Sequence, residues 1–180
     1  EMRGTAVRID SPADAARAGI GFLPEDRKQQ GLVLRLSVER NVSLSHLGTL
    51  ARFGVLDRRK ERGEAQDAIA SLRIRTPGPD QLVLNLSGGN QQKVVLAKWL
   101  AAHAEVLIFD EPTRGIDVAA RQEIYLLMNR LVENGAALIM ISSDLPEVLG
   151  MSDRILVMRG GRVVRELAAQ EATDADVLQA

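Results

Sequence analysis

Apolar residues along this chain fall into short runs separated by polar stretches, and the spacing within each run predicts its secondary structure. Ala6, Val7 and Ile9 mark a weak strand over residues 1–9. Ser11-Pro12 suits a helix start, because serine caps and proline fits the first turn, and the helix over 13–18 ends at Gly19. Residues 20–23 form a short apolar strand and 24–31 a polar loop. Residues 32–38 lead into a helical pattern that runs to about 75 but is broken by Gly48, Gly54 and Gly63, which predicts several short helices. Within it, Arg58-Arg59-Lys60-Glu61-Arg62 reads as a solvated helix face. Thr76-Pro77-Gly78-Pro79-Asp80 is the strongest break. A helix over 90–101 follows, then the apolar run 106–109, bounded by Asp110-Glu111-Pro112, with the pattern of a buried parallel strand. The remaining expectations are a helix over 118–134 stopped by Gly135, a buried strand over 137–141 and a short helix over 145–149. A strand over 154–158 turns at Gly160-Gly161 into another over 162–167, and residues 168–180 read as a helix.

Strands alternating with helices predict an α/β fold with a mostly parallel sheet, to which the Gly-Gly hairpin adds an antiparallel edge. No internal repeat is evident. The 180 residues suffice for one domain or part of a larger one, and 46% hydrophobic with 26% charged residues is a globular composition. The net charge of -1 removes the bulk attraction for nucleic acid. Cysteine is absent, which excludes disulfides, thiolate metal sites and cysteine nucleophiles. His46 and His103 are the only histidines, too few for a histidine-rich metal site. No apolar run approaches the roughly 20 residues that span a bilayer, and the first residues do not resemble a secretory signal. Together these features predict a soluble, cytosolic chain.

Three stretches carry chemistry. Ser87-Gly88-Gly89 immediately precedes an amphipathic helix, so backbone N–H groups and the positive end of the helix dipole suit a phosphate there. Ser87 adds a hydroxyl, although it also suits a plain helix cap. The strand over 106–109 delivers Asp110 and Glu111 to its C-terminal end, where open α/β sheets bind ligands. An aspartate there can hold magnesium through water, and the adjacent glutamate can deprotonate an attacking water. Gly115-Ile116-Asp117 forms an acidic turn before the long helix.

In this order and spacing the set resembles the ATP-binding cassette ATPases. Leu86-Ser87-Gly88-Gly89-Asn90 is similar to their signature motif, with Asn90 in place of the usual glutamine. Val106 to Glu111 looks like the Walker B strand, and Gly115-Ile116-Asp117 like the D-loop. Phe22-Leu23-Pro24-Glu25-Asp26 falls at the Q-loop, and Ser37-Val38-Glu39-Arg40-Asn41 opens the helical subdomain. The resemblance implies core and Q-loop in 1–31, the helical subdomain in 32–80, the signature helix and Walker B core in 81–167, and a tail in 168–180. Pro24-Glu25-Asp26-Arg27-Lys28, residues 86–93, residues 112–118 and residues 142–148 are together similar to the second cassette of double-cassette ATPases. Those ATPases drive bacterial importers of ribose, galactose and xylose; nucleoside and autoinducer-sugar relatives share much of the pattern, which leaves the substrate open.

The family's glycine-rich phosphate loop is not in this sequence: Lys28, Lys60, Lys93 and Lys98 neither follow a glycine nor precede a serine or threonine. The expectation is therefore a C-terminal portion of a cassette. Ser143 stands where the family has its switch histidine, and Glu25 where a glutamine is usual, both of which predict a weaker pocket on this cassette's own Walker B. The resemblance assigns Ser87, Gly88, Gly89 and Asn90 to nucleotide held in trans by a partner cassette. It makes Asp110 a magnesium ligand through water, Glu111 the general base, and Asp117 and Glu25 nucleotide-site residues. It implies ATP and Mg2+ as cofactors. The implied partners are a first cassette, transmembrane permease subunits and, indirectly, a sugar-binding protein, on the cytoplasmic face of the inner membrane and without nucleic acid. A non-catalytic dimerisation and coupling module is the competing reading of the chain alone, and a cassette ATPase of DNA repair or translation is a third. His46 and His103 read as surface or helix-end residues with no carboxylate in recognisable spacing, and Trp99 and Tyr125 as packing residues. Arg40 and Asn41 are placed where membrane subunits dock.

Overall fold

The computed structural model describes residues 2 and 4–179. The chain divides into two compact units, Glu1–Ile139 and Met140–Ala180. The first runs through α1 (Pro12–Arg17), β1 (Ile20–Leu23), one turn of π-helix (Arg27–Gly31), α2 (Val38–Ser43) and α3 (Leu47–Leu50). It continues with β2 (Ala51–Arg52), β3 (Val55–Leu56), α4 (Arg58–Ser71), a 3-10 turn (Val83–Asn85), α5 (Gly88–Ala101), β4 (Val106–Asp110) and α6 (Val118–Glu133). β5 (Ala137–Ile141) crosses the boundary. The second unit then holds α7 (Leu145–Met151), β6 (Arg154–Arg159), β7 (Arg162–Ala168), a 3-10 turn (Ala169–Glu171) and α8 (Asp174–Leu178).

β1 pairs in parallel with β4, Ile20 opposite Val106 and Leu23 opposite Phe109, and β5 follows β4 in the sheet order. Alternation along β4 buries Leu107 and Phe109 completely on one face. Val94, Val95, Leu96 and Ala97 of α5 are buried with them, and α5 packs against β1. Each large side chain so buried contributes roughly 1.5–3 kcal/mol. Trp99 fastens the junction, as its Nε1 donates to Phe22 O at 2.6 Å. Beside it, Lys98 Nζ lies 5.0 Å from the indole centroid and donates to Gly31 O at 2.7 Å. Burial holds the Lys98 ammonium below its ordinary pKa.

α2 packs on α4 and α5, and two polar residues that look solvent-facing in the sequence lie inside. Asn41 is fully buried: its Oδ1 accepts from Val33 N at 2.8 Å, and its Nδ2 donates to Val33 O and Ser37 O. It ties the loop before α2 to that helix, which corrects the expectation of a docking residue. Glu61 is not part of a solvated face either, since it is buried, accepts from Ser43 Oγ at 2.8 Å and pairs with Arg58 Nη1 at 3.1 Å.

Other expectations also give way. The strand expected over 1–9 is not found among the described residues: Met2 and Thr5 form an isolated bridge, residues 6–10 are in no strand, and Val7 and Ile9 are 39% and 42% exposed. Residues 1 and 3 of that expected strand lie outside the described residues. The loop at 24–31 contains the π-turn, capped by Asp26 Oδ1 accepting from Lys28 N and Gln29 N. The expected run of helices is interrupted by the β2–β3 hairpin, with Phe53 and Gly54 at its tip, both at positive φ. β6 and β7 form their own two-stranded antiparallel sheet, Ile155 opposite Leu167, where an edge of the parallel sheet was expected. The tail helix is shorter because β7 extends to Ala168 and α8 starts only at the Thr173–Asp176 capping box. Ala180 lies outside the described residues.

Candidate functional site

α5 begins two residues before the expected position, so both glycines of the Ser-Gly-Gly turn are helical. Ser87 has the extended backbone of an N-cap (φ -62°, ψ 160°), yet its side chain makes no capping bond to the helix. Asn90 Nδ2 donates to Ser87 Oγ at 2.8 Å, and Asn90 Oδ1 accepts from Arg75 N at 2.8 Å. Asn90 therefore fixes the hydroxyl oxygen and leaves its proton for an outside acceptor. Arg75 is held in turn by Glu123, whose other oxygen takes Lys93 Nζ at 2.7 Å. The Lys93 bond keeps the Glu123 carboxyl below its ordinary pKa. The N–H groups of Gly88, Gly89 and Asn90 have no acceptor within α5, and the helix dipole adds partial positive charge. Ser87 is exposed and Gly88 half-buried, whereas Gly89 is buried.

The absence of side chains at both glycines lets other segments approach. A Cβ on Gly88 would lie 2.5 Å from Arg27 Nη2 and 3.5 Å from Gly115 O. A Cβ on Gly89 would lie 2.8 Å from Ala120 Cβ, in the first turn of α6. The loop after β1, the start of α5 and the turn before α6 thus meet at one pair of glycines. Asp117 caps α6, its Oδ1 accepting from Ala120 N at 2.9 Å, and so orders that turn.

Arg27 was not singled out by its sequence position. It sits in the π-turn, half-buried, with Nε donating to Gln91 Oε1 at 3.4 Å; buried Gln91 donates in turn to Val83 O at 3.1 Å. It has no ion-pair partner among the described residues. Burial pushes its guanidinium below the ordinary pKa, with the neighbouring Asp26 opposing. Arg114 is the other residue sequence reasoning missed. It forms an ion pair with Glu25. The available signal was chemical: an acid where the resembling family has a neutral amide calls for a positive partner.

Asp110 ends β4 and Glu111 follows it with φ 48°. A non-glycine residue in this left-handed region costs about 1–3 kcal/mol and is held there by its surroundings. Among the described residues no group of three or more His, Asp or Glu side chains is poised around a metal. One aspartate fits magnesium, which completes its shell with water and phosphate oxygens. The Ser87 hydroxyl, the amides without helical acceptors and the Cβ-free cradle fit a phosphate. Ser143 lies in the second unit, exposed, before Asp144, the N-cap of α7. Next to it Ser142 Oγ donates to Glu147 and accepts from Asp144 N at 3.1 Å. His46, the N-cap residue before α3, has the Glu64 carboxylate of α4 against it at 2.6 Å, 18 residues on, a separation that carries no recognisable spacing. His103 ends α5 at φ 58°, a helix-end residue as expected. No helix among the described residues is long and apolar enough to cross a membrane.

Solved ATP-binding cassettes share this architecture. A dimeric cassette in a post-hydrolysis state with ADP and Pi matches with TM-score 0.71 and 24% identity, over 89% of this chain and 68% of the other. A nucleotide-free cassette from an ABC transporter matches with TM-score 0.73 and 18% identity, over 88% and 64%. The fold is that of an ATP-binding cassette. The ABC transporter family model matches residues 2–114, and the chain belongs to that family. It is 51% identical to the ribose import ATP-binding protein RbsA of Rhodopirellula baltica, over 99% of this chain and 35% of the relative. It is 52% identical to a putative ribose/galactose/methyl galactoside import ATP-binding protein of Burkholderia lata, over 99% and 35%. The chain spans about a third of the length of the curated relatives it matches.

Proposed function

We propose that this chain forms the signature-bearing part of the second cassette of an ATPase that energises monosaccharide import, with ribose-type sugars as the substrate class. Identity of about half with ribose import proteins, over nearly the whole chain, supports the substrate class. The observation that carries the site is the start of α5, where the Ser87 hydroxyl is fixed by Asn90 but not spent on its own helix. In this reading Ser87 and the amides of Gly88, Gly89 and Asn90 bind the terminal phosphate of a nucleotide held by a first cassette. Donors fixed in advance stabilise that charge without having to reorganise. Mg-ATP, when bound, supplies the phosphoryl chemistry. Asp110 would hold magnesium through water, and Glu111 would accept a proton from water at its carboxylate. Asp117 orders the turn beside Gly88, Glu25 is neutralised by Arg114, and Ser143 occupies the switch position without the reach of an imidazole. Residues 32–80 form the helical subdomain that engages the permease subunits, residues 1–31 and 81–167 the core, and residues 168–180 the tail. The assembly works peripherally on the cytoplasmic face of the membrane, supplied by a sugar-binding protein.

The test is Ser87→Arg in the full-length protein assembled with its partners, which fills the cradle and consumes its donors. ATP turnover and sugar uptake are expected to fall by about 100-fold or more. Wild-type turnover in this variant refutes the reading.

A further inference from the structure

We propose that Arg27 is a cationic ligand for the same phosphate, so that the turn at residues 87–89 recognises its nucleotide by charge as well as by backbone hydrogen bonds. This rests on the reading above and adds to it a residue that lies 64 positions from its contact on α5.

Four observations converge. The first is position: Arg27 Nη2 occupies the space a side chain on Gly88 would take, at the mouth of the turn. The second is orientation, because Nε is engaged by Gln91, itself buried and anchored to Val83 O, which leaves the two Nη groups to donate. The third is electrostatic. A half-buried cation beside the positive end of a helix raises the energy of the turn unless an anion joins them. The neighbouring Asp26 offsets this in part, but no carboxylate among the described residues forms an ion pair with the guanidinium. Asp26 spends Oδ1 on two backbone amides, and Glu25 is taken by Arg114. The fourth is chemical, since a guanidinium fork matches two oxygens of one phosphate, as an ammonium does not.

The experiment compares Arg27→Met, which keeps the stem and removes the charge, with Arg27→Lys, which keeps the charge and removes the fork. Both are made in the full-length protein with its partner cassette, and ATP and ADP affinities are measured for each. ADP lacks the phosphate in question and serves as the internal control. Arg27→Met is expected to weaken ATP by roughly tenfold, the worth of a charge-assisted contact, with ADP little changed and Arg27→Lys in between. Unchanged ATP affinity, or equal loss for ATP and ADP, overturns the proposal, the latter because it marks a purely structural role. If Arg27→Met does not fold, Arg27→Lys decides: a reduced preference for ATP over ADP supports the proposal and an unchanged preference overturns it. Ser87→Arg separates the two readings. Its inactivity beside a wild-type Arg27→Met removes only Arg27, whereas its full activity removes the reading of the turn itself.

Discussion

The start of α5 and the end of β4 belong to the same unit but are built from opposite materials. The first offers neutral donors, a serine hydroxyl and helix-end amides, with the Arg27 guanidinium, which forms no ion pair among the described residues, over them. The second offers two carboxylates, one of them on left-handed backbone. Neutral donors with no competing acceptor are ready for an anion at little reorganisation cost. In the proposed reading, carboxylates are useful at a nucleotide only once a cation and the rest of a phosphate site are present. In that reading the donor end needs only a phosphate presented to it, whereas the acid end needs a cation and further phosphate-binding groups as well.

This contrast can be broken by comparing variants at the two ends. Because the proposed reading makes the pocket on this cassette's own Walker B the weaker one, Glu111→Gln in the full-length protein is expected to lower steady-state ATP turnover by less than about tenfold. That is well short of the roughly 10²–10⁴-fold that a positioned proton acceptor contributes where it acts. A loss as large as that of Ser87→Arg would reverse the ranking and make the acid end the dominant one. Asn90→Ala sharpens the donor side. Freeing the Ser87 hydroxyl is expected to reduce turnover about fivefold, the worth of one neutral hydrogen bond of ~1 kcal/mol, with the urea midpoint nearly constant. No change in turnover would mean that the hydroxyl needs no holder. The smallest effect belongs to Glu25→Gln. Its ion pair with Arg114 is exposed on both sides, so urea denaturation is expected to register a change within about 0.5 kcal/mol. A larger loss would show that the pair stabilises the loop after β1.

Much of the framework was legible because its signals are local. The apolar runs at 20–23 and 106–109, the long helix stopped by Gly135 and the Gly-Gly hairpin all emerge close to their expected bounds. The β2–β3 hairpin was not, since two-residue strands carry no alternation to detect. Asn41 and Glu61 were misjudged for a different reason: residue type predicts exposure, whereas their burial depends on partners such as Val33 and Ser43 brought in by packing of α2 on α4. At the site, the turn at residues 87–89 was legible as a motif. Its flanking charges were not, because Arg27 and Gln91 are 64 positions apart and Glu25 and Arg114 are 89 apart. Only folding makes such pairs neighbours.

The indole of Trp99 gives this region an optical reporter of its own. It is the sole tryptophan in the chain, tethered to the Phe22 carbonyl with a buried ammonium near its ring. Emission excited at the red edge of the indole band, where Tyr125 does not absorb, therefore comes from a single place, where β1 meets α5, a few residues upstream of Glu25 and Arg27. A spectral shift on adding nucleotide would register movement of that junction without any label attached.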